Sequence, residues 1–342
     1  MKKQLFIVGG SGFIGKNLVE YLSNDYDITV IDKFIDKDFF FSGNNLIGNE
    51  LKFSTQATTE IKCRNKKFFS EKSEMFSEKN LLKRHFNLRV CEVDLVSGEI
   101  EEYLPEPDYI INLASIVTAQ RDLTLFDSMI SSNLKVLMNL YNRYKDCKKL
   151  KLFIQFGSSE EYGNTTSPYF ETMREQPDSP YALVKQLTVN TALMLFRNYF
   201  FPVSVVRPGN LFGKYQNPQK FIPYIIQQLK EGKELNVTPC EQKRDFIYTE
   251  DFAWCIAQLL KNYDKVKGEI INVASGQSIA LKEIIEYLKS ILHSQSTINY
   301  GAIPYRENEA MDLRCSVKKF EDLTSKKVDF NIFQRLQELI TQ

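Results

Sequence analysis

What this chain lacks narrows its function before any motif is read. It has two histidines, His85 and His293, and they do not stand at ligand spacing. That argues against a metal centre and against a histidine-based mechanism. The six cysteines, Cys63, Cys91, Cys147, Cys240, Cys255 and Cys315, are scattered and make no C-x-x-C pair. They read as reduced, mostly buried thiols of a cytoplasmic protein. No apolar stretch approaches the ~20 residues of a membrane span. Met1-Lys2-Lys3 leads straight into the first strand, with no secretory signal. An excess of one charge is also missing: 44 basic and 43 acidic residues leave a formal net charge of +1. Such a mixture provides no electrostatic footprint for nucleic acid or an anionic membrane. The basic run from Lys62 to Lys67 reads as a solvated loop. The 342 residues are enough to bury a large core, as two lobes around a cleft.

What is present begins with Gly9-Gly10-Ser11-Gly12-Phe13-Ile14-Gly15. Gln4 to Val8 reads as a buried strand, and Ile14, Leu18, Val19 and Leu22 form one apolar helical stripe. A glycine turn between such a strand and such a helix suits a pyrophosphate. The first glycine permits the turn, the second lets the backbone approach the anion, and the third lets the helix pack close. Gly9, Gly12, Phe13, Ile14 and Gly15 are therefore candidate cofactor-binding residues. A second strand, Ile28 to Ile31, ends at Asp32, placed to bind the ribose 2′-hydroxyl of NAD and to repel the 2′-phosphate of NADP. Lys33 beside it could accommodate a phosphate, so NADP stays possible. The bland alternative is a packing turn followed by a solvated Asp-Lys pair.

Strands and helices then alternate. Val90–Val93, Tyr109–Leu113, Leu152–Phe156 and Val203–Val206 read as strands. Ser128–Tyr144, Tyr181–Tyr199, Phe221–Lys230 and Leu281–Leu292 read as helices. The expected fold is α/β, a Rossmann-type doubly wound parallel sheet with a smaller C-terminal substrate-binding lobe. Residues 1–210 would form the nucleotide-binding domain, with about 245–265 returning to it, and 211–342 mainly the second lobe. Residues 38–84 exceed what one crossover helix needs and read as an insertion without a clean period.

Ser158-Ser159-Glu160-Glu161-Tyr162-Gly163 follows the strand that ends at Phe156, and Tyr181-x-x-x-Lys185 comes next. Four residues apart, Tyr181 and Lys185 share one helix face. A tyrosine with a pKa of about 10 is a poor base. A lysine one turn away and a positive nicotinamide would together pull that value down, and the lysine would hold the nicotinamide ribose. Ser158 would orient the same substrate oxygen, or cap the following segment, or do both. The set describes hydride transfer at a carbinol carbon. An exposed helix pair is the alternative.

These residues resemble the extended short-chain dehydrogenase/reductases that act on nucleotide sugars. Asp94-Leu95, Asn112-Leu113-Ala114, Arg207-Pro208-Gly209-Asn210 and Arg244-Asp245-Phe246 appear in that family's order. The resemblance implies that Asp94 and Leu95 flank the adenine. It also implies that Leu113, Ala114, Ser115 and Pro208 line the cofactor cleft, and that Asn210 and Arg244 contact a nucleotide-diphosphate sugar. The C-terminal half is similar to CDP-abequose synthases and related 4-keto-6-deoxysugar reductases, through Phe221 to Ile226 and Gly301 to Glu309. This adds Phe221, Arg306 and Glu309 as substrate-binding candidates and surface-polysaccharide sugar biosynthesis as the setting. Three chemistries fit: a 4-keto-sugar reductase, a 4-epimerase, and a 4,6-dehydratase using Glu160, with Ser159 at a position where relatives carry Asp or Ser. A noncatalytic NAD-binding scaffold is a fourth reading. The helix from Tyr181 is apolar over most of its circumference, which suggests a homodimer in which it pairs with the Ser128–Tyr144 helix of a second copy.

Overall fold

A computed structural model describes residues 2–41, 88–97, 104–117 and 122–341. The larger half is built on a seven-stranded, all-parallel sheet. Its elements in chain order are β1 (Lys3–Val8), α1 (Phe13–Leu22), β2 (Tyr26–Asp32), β3 (Leu88–Glu92), β4 (Tyr109–Asn112), α2 (Val136–Tyr144), β5 (Leu152–Phe156), α3 (Pro180–Tyr199), β6 (Val203–Pro208), α4 (Thr249–Lys261) and β7 (Ile270–Val273). The spatial order is β7-β6-β5-β4-β1-β2-β3. The direction of winding reverses between β1 and β4, and ligands of such sheets collect outside the carboxyl ends of strands at that point.

Alternation along each strand fills both faces of the sheet. Leu5 and Ile7 pack with Leu18 and Leu22 of α1 and with Phe252 and Ile256 of α4. Phe6 and Val8 point the other way, into a core shared with Leu137 and Leu140 of α2 and Val189 and Leu193 of α3. The final strand, β7, lies beyond the stretch about 245–265 that was expected to return to this half. Its pairing with β6 shows why: Ile271 and Val273 are buried and close the sheet edge beside α4.

The expected helix Ser128–Tyr144 is not uniform. A turn of α-helix, Phe126–Ile130, and a π-turn, Ser131–Lys135, precede α2. Asn133 Nδ2 and Ser132 Oγ both donate to the Met129 carbonyl, at 2.8 and 3.1 Å, and compete with the α-helical bond for that acceptor.

The C-terminal lobe has its own core, in which Phe212, Ile222, Ile225 and Phe246 meet Ile284, Leu288 and Leu336. Small sheets of two or three short strands replace the large sheet here. Most of the expected insertion at 38–84 lies outside the described residues, as does the basic run Lys62 to Lys67; its first residues belong to a short helix, Lys37–Phe41. Among the described cysteines, Cys91, Cys240, Cys255 and Cys315 are buried, and Cys63 lies outside the described residues. No described helix is long and apolar enough to cross a membrane.

Candidate active site

The turn after β1 is built from backbone. Gly9 has φ of 77°, and a Cβ on Gly15 would stand 2.5 Å from Gly10 Cα, so α1 starts as close to the strand as two backbones can come. Gly12 caps α1 and no side chain caps the helix with it. The first-turn amides, at Phe13 and Ile14, thus face outward at the positive end of the helix dipole, a fit for a phosphate.

Asp32, at the end of β2, accepts from the Ser11 amide at 2.9 Å and the Phe34 amide at 3.3 Å. Burial pushes its carboxyl above the usual range, against those amide donors. Lys33 forms an ion pair with Asp94 at 3.0 Å, and the bond it donates there holds Asp94 below the usual carboxylate range. Lys16 pairs in the same way with Asp36. Lys33 and Lys16 thus both have carboxylate partners. Leu113 and Ala114 follow β4 and pack into opposite cores, and Ser115 comes next. Leu95 is buried, its carbonyl accepting from Asn139 of α2 at 2.7 Å. Pro208 ends β6.

The turn after β5 is built from side chains. Ser158 caps a single 3₁₀ turn, Ser159–Tyr162, with Oγ accepting from the Glu160 amide at 3.2 Å. The same side chain lies near enough to the Tyr181 phenol to pull its pKa down against burial. α3 brings Tyr181 here: Ser179 caps it, accepting from the Ala182 amide at 3.1 Å, and Pro180 sits in its first turn. The ring of Tyr181 packs against Met129 and Val184. Lys185, one turn on, donates to the Phe156 carbonyl at 3.2 Å and lies 5.8 Å from the Tyr181 ring centre.

Without the nicotinamide, burial dominates the electrostatics of this pair. The spacing of Tyr181 and Lys185, together with a positive nicotinamide, predicts a phenol pulled down. Burial pushes it up, the charge of Glu160 adds to that, and the Ser158 side chain opposes it. Burial also brings Lys185 down to about 8, against the attraction of Glu161. Desolvation of the buried phenol is the largest influence on it. Glu160 itself is exposed at the rim, with Ser159 half-buried beside it.

Among the substrate candidates, Arg244 donates to the Ala310 carbonyl at 2.7 Å and forms an ion pair with Glu309, with the exposed Arg306 close enough to oppose its charge. Asn210 lies on a strand paired with Phe246, and Phe221 stacks on that ring at 6.3 Å. Tyr162, from the β5 turn, lies 5.0 Å from the ring of Tyr169, which in turn feels the charge of Arg244.

Four residues at this site do not stand out in the sequence as working parts: Glu161, Arg207, Glu175 and Asp245. Glu161 and Arg207 are completely buried and ion-paired at 2.6 Å. Asp245 accepts from Ser275, Gly276 and Cys315, tying three loops together, and burial pushes its carboxyl up to about 6. Glu161, Arg207 and Asp245 stand within motifs already quoted, and Glu175 carries no such signal.

The model of the NAD dependent epimerase/dehydratase family matches residues 5–274. CDP-abequose synthase of Salmonella muenchen is 36% identical over 107 residues, which is 31% of this chain and 36% of that protein. The chain thus spans about a third of that relative. dTDP-glucose 4,6-dehydratase of Haemophilus influenzae is 24% identical over 316 residues, covering 89% of this chain and 84% of that protein. Among solved structures, UDP-N-acetylglucosamine 4-epimerase from Methanobrevibacter ruminantium, in complex with UDP-N-acetylmuramic acid, superposes with a TM-score of 0.80 at 22% identity, over 100% of this chain and 98% of that one. UDP-glucuronic acid 4-epimerase from Bacillus cereus, in complex with UDP-glucuronic acid and NAD, gives 0.79 at 20%, over 99% and 98%.

Proposed function

The chain belongs to the NAD dependent epimerase/dehydratase family, and from that premise we propose that it acts on a nucleotide-diphosphate sugar by hydride transfer at carbon 4, as a 4-keto-sugar reductase or a 4-epimerase. The observation that carries this reading is the meeting of Ser158, Tyr181 and Lys185, all buried, at the carboxyl end of β5. NAD supplies the hydride acceptor or donor. The glycine turn and the start of α1 would hold its pyrophosphate and Asp32 its ribose. Lys185 would hold the nicotinamide ribose. Tyr181 takes or gives the hydroxyl proton, and Ser158 orients the same oxygen. NAD suits this corner better than NADP, because Lys33 and Lys16 are already paired with Asp94 and Asp36. In the second lobe Asn210 and Arg244 would contact the sugar nucleotide, with Arg244 exchanging Glu309 for the diphosphate.

A second reading is supported by one observation. The exposed Glu160 lies close enough to Tyr181 to raise it electrostatically, where a 4,6-dehydratase would need an additional acid/base group. A homodimer belongs to the same proposal: Leu183 and Leu187, one turn apart on α3, are exposed. A cytoplasmic location suits it as well.

The test is to mix the protein with a panel of nucleotide-linked 4-keto-6-deoxysugars and NADH or NADPH and follow the reduced nicotinamide. Stoichiometric loss of the signal with NADH establishes a reductase. An unchanged signal, with conversion of the unoxidised sugar nucleotide, establishes a closed cycle on bound NAD. No conversion of either kind contradicts the proposal.

A further inference from the structure

Glu161 and Arg207 are fully enclosed, and the proposed reaction uses neither. Their geometry gives them another task. Glu161 Oε1 accepts from the Ser158 amide at 2.7 Å, and Oε2 accepts from Arg207 Nε and Nη2 at 3.0 and 2.6 Å. Arg207 comes from β6, the strand beside β5, and its Nη2 also donates to Glu175 at 2.6 Å. Lys185 grips the same backbone through the Phe156 carbonyl, two residues before Ser158. A cation thus holds one end of Phe156-Gly157-Ser158 and a carboxylate holds the other. Glycine makes room between them: a Cβ on Gly157 would stand 2.4 Å from Glu161 Oε1.

We propose that Glu161, locked by Arg207, is a positioning residue: it fixes the backbone of Ser158 and sets a carboxylate across Phe156-Gly157-Ser158 from the Lys185 side chain. This inference rests on the assignment of Ser158, Tyr181 and Lys185 to the reaction. Burial pushes the Glu161 carboxyl up, while Arg207 and the Ser158 amide pull it back. Glu161 is ionised, because all three of its hydrogen-bond partners are donors, and a protonated carboxyl would need an acceptor there. Among the described residues, the charged and titratable groups around Lys185 are Tyr181 on its own helix, Glu161 across the turn, and Arg207 and Glu175 behind Glu161. Glu160 acts on Tyr181. Removal of the Glu161 charge leaves burial unopposed and drives Lys185 further toward its neutral form.

The experiment follows the Cε resonance of Lys185 against pH in lysine-labelled full-length protein, assigned by its disappearance in Lys185→Arg. Glu161→Gln is expected to lower the Lys185 titration by about one unit or more. Glu161→Asp, which keeps the charge and shortens the reach, should leave the titration close to its original place. It should lower kcat by roughly ten- to a hundredfold with KM little changed, because Ser158 loses its anchor. An unshifted titration in a folded Glu161→Gln overturns the inference. Where that variant does not fold, Glu175→Gln, at the half-open end of the network, should shift the titration the same way by less, and no shift there also overturns it. The titration needs no turnover. A protein inactive on every sugar nucleotide therefore defeats the functional proposal, while the titration still reads the effect of Glu161 on Lys185 directly.

Discussion

Two strands of one sheet end in turns that use side chains in opposite ways. After β1, the glycines let backbone pack on backbone, and α1 begins at Gly12 with no side-chain cap. After β5, Ser158 to Tyr162 are held by side chains: a capping box, a buried ion pair and an arginine 4.6 Å from the Tyr162 ring centre. The first turn spans seven residues and is tied to β2 by its backbone amides, Gly9 to the Ile31 carbonyl at 2.8 Å and Ser11 to Asp32 at 2.9 Å. The second depends on Arg207 and Lys185, from other elements of the sheet half. A phosphate needs many weak donors in a fixed curve, which backbone provides. Proton transfer needs particular groups at particular distances, which only packed side chains provide.

The contrast can be broken, and the largest effect is expected at the side-chain turn. Arg207→Ala leaves Glu161 buried without its cation and should cost about 3–5 kcal/mol of stability, read by denaturant unfolding. A loss below about 1 kcal/mol would mean that the ion pair does not hold the turn. At the backbone turn, Gly15→Ala drives a methyl into Gly10 and should cost about 1–3 kcal/mol. Gly12→Ala sharpens the comparison. A Cβ there meets only the Gly9 carbonyl oxygen, at 3.3 Å, and the backbone is extended, with φ of −74°. Its stability should move by no more than about 0.5 kcal/mol, while NAD affinity falls, as measured by calorimetry. Equal affinity in Gly12→Ala and the unchanged protein would remove the pyrophosphate from this turn.

The same contrast explains what the sequence discloses. The glycine turn, the strands around it and the pairing of Tyr181 with Lys185 are legible because each is a short pattern with a period or a fixed spacing. Leu152–Phe156 and Phe221–Lys230 have in the fold the bounds that their patterns predict. The π-turn at Ser131–Lys135 is hidden, since apolar periodicity runs across it and only Asn133 and Ser132 mark the competition for a carbonyl. Glu161 does not stand out beside Glu160, because nothing local distinguishes two adjacent glutamates. What separates them is Arg207, 46 residues away, which buries one and leaves the other at the rim. The upward push on Tyr181 is illegible for a related reason: spacing reveals the lysine and says nothing of how completely the phenol is enclosed.

The central claim is that Tyr181 moves the proton in hydride transfer. The direct measurement is turnover by Tyr181→Phe on whichever sugar nucleotide the unchanged protein converts, with NAD binding measured on the same sample. Turnover should fall about 10²- to 10⁴-fold while NAD still binds. Turnover at the original rate would contradict the claim.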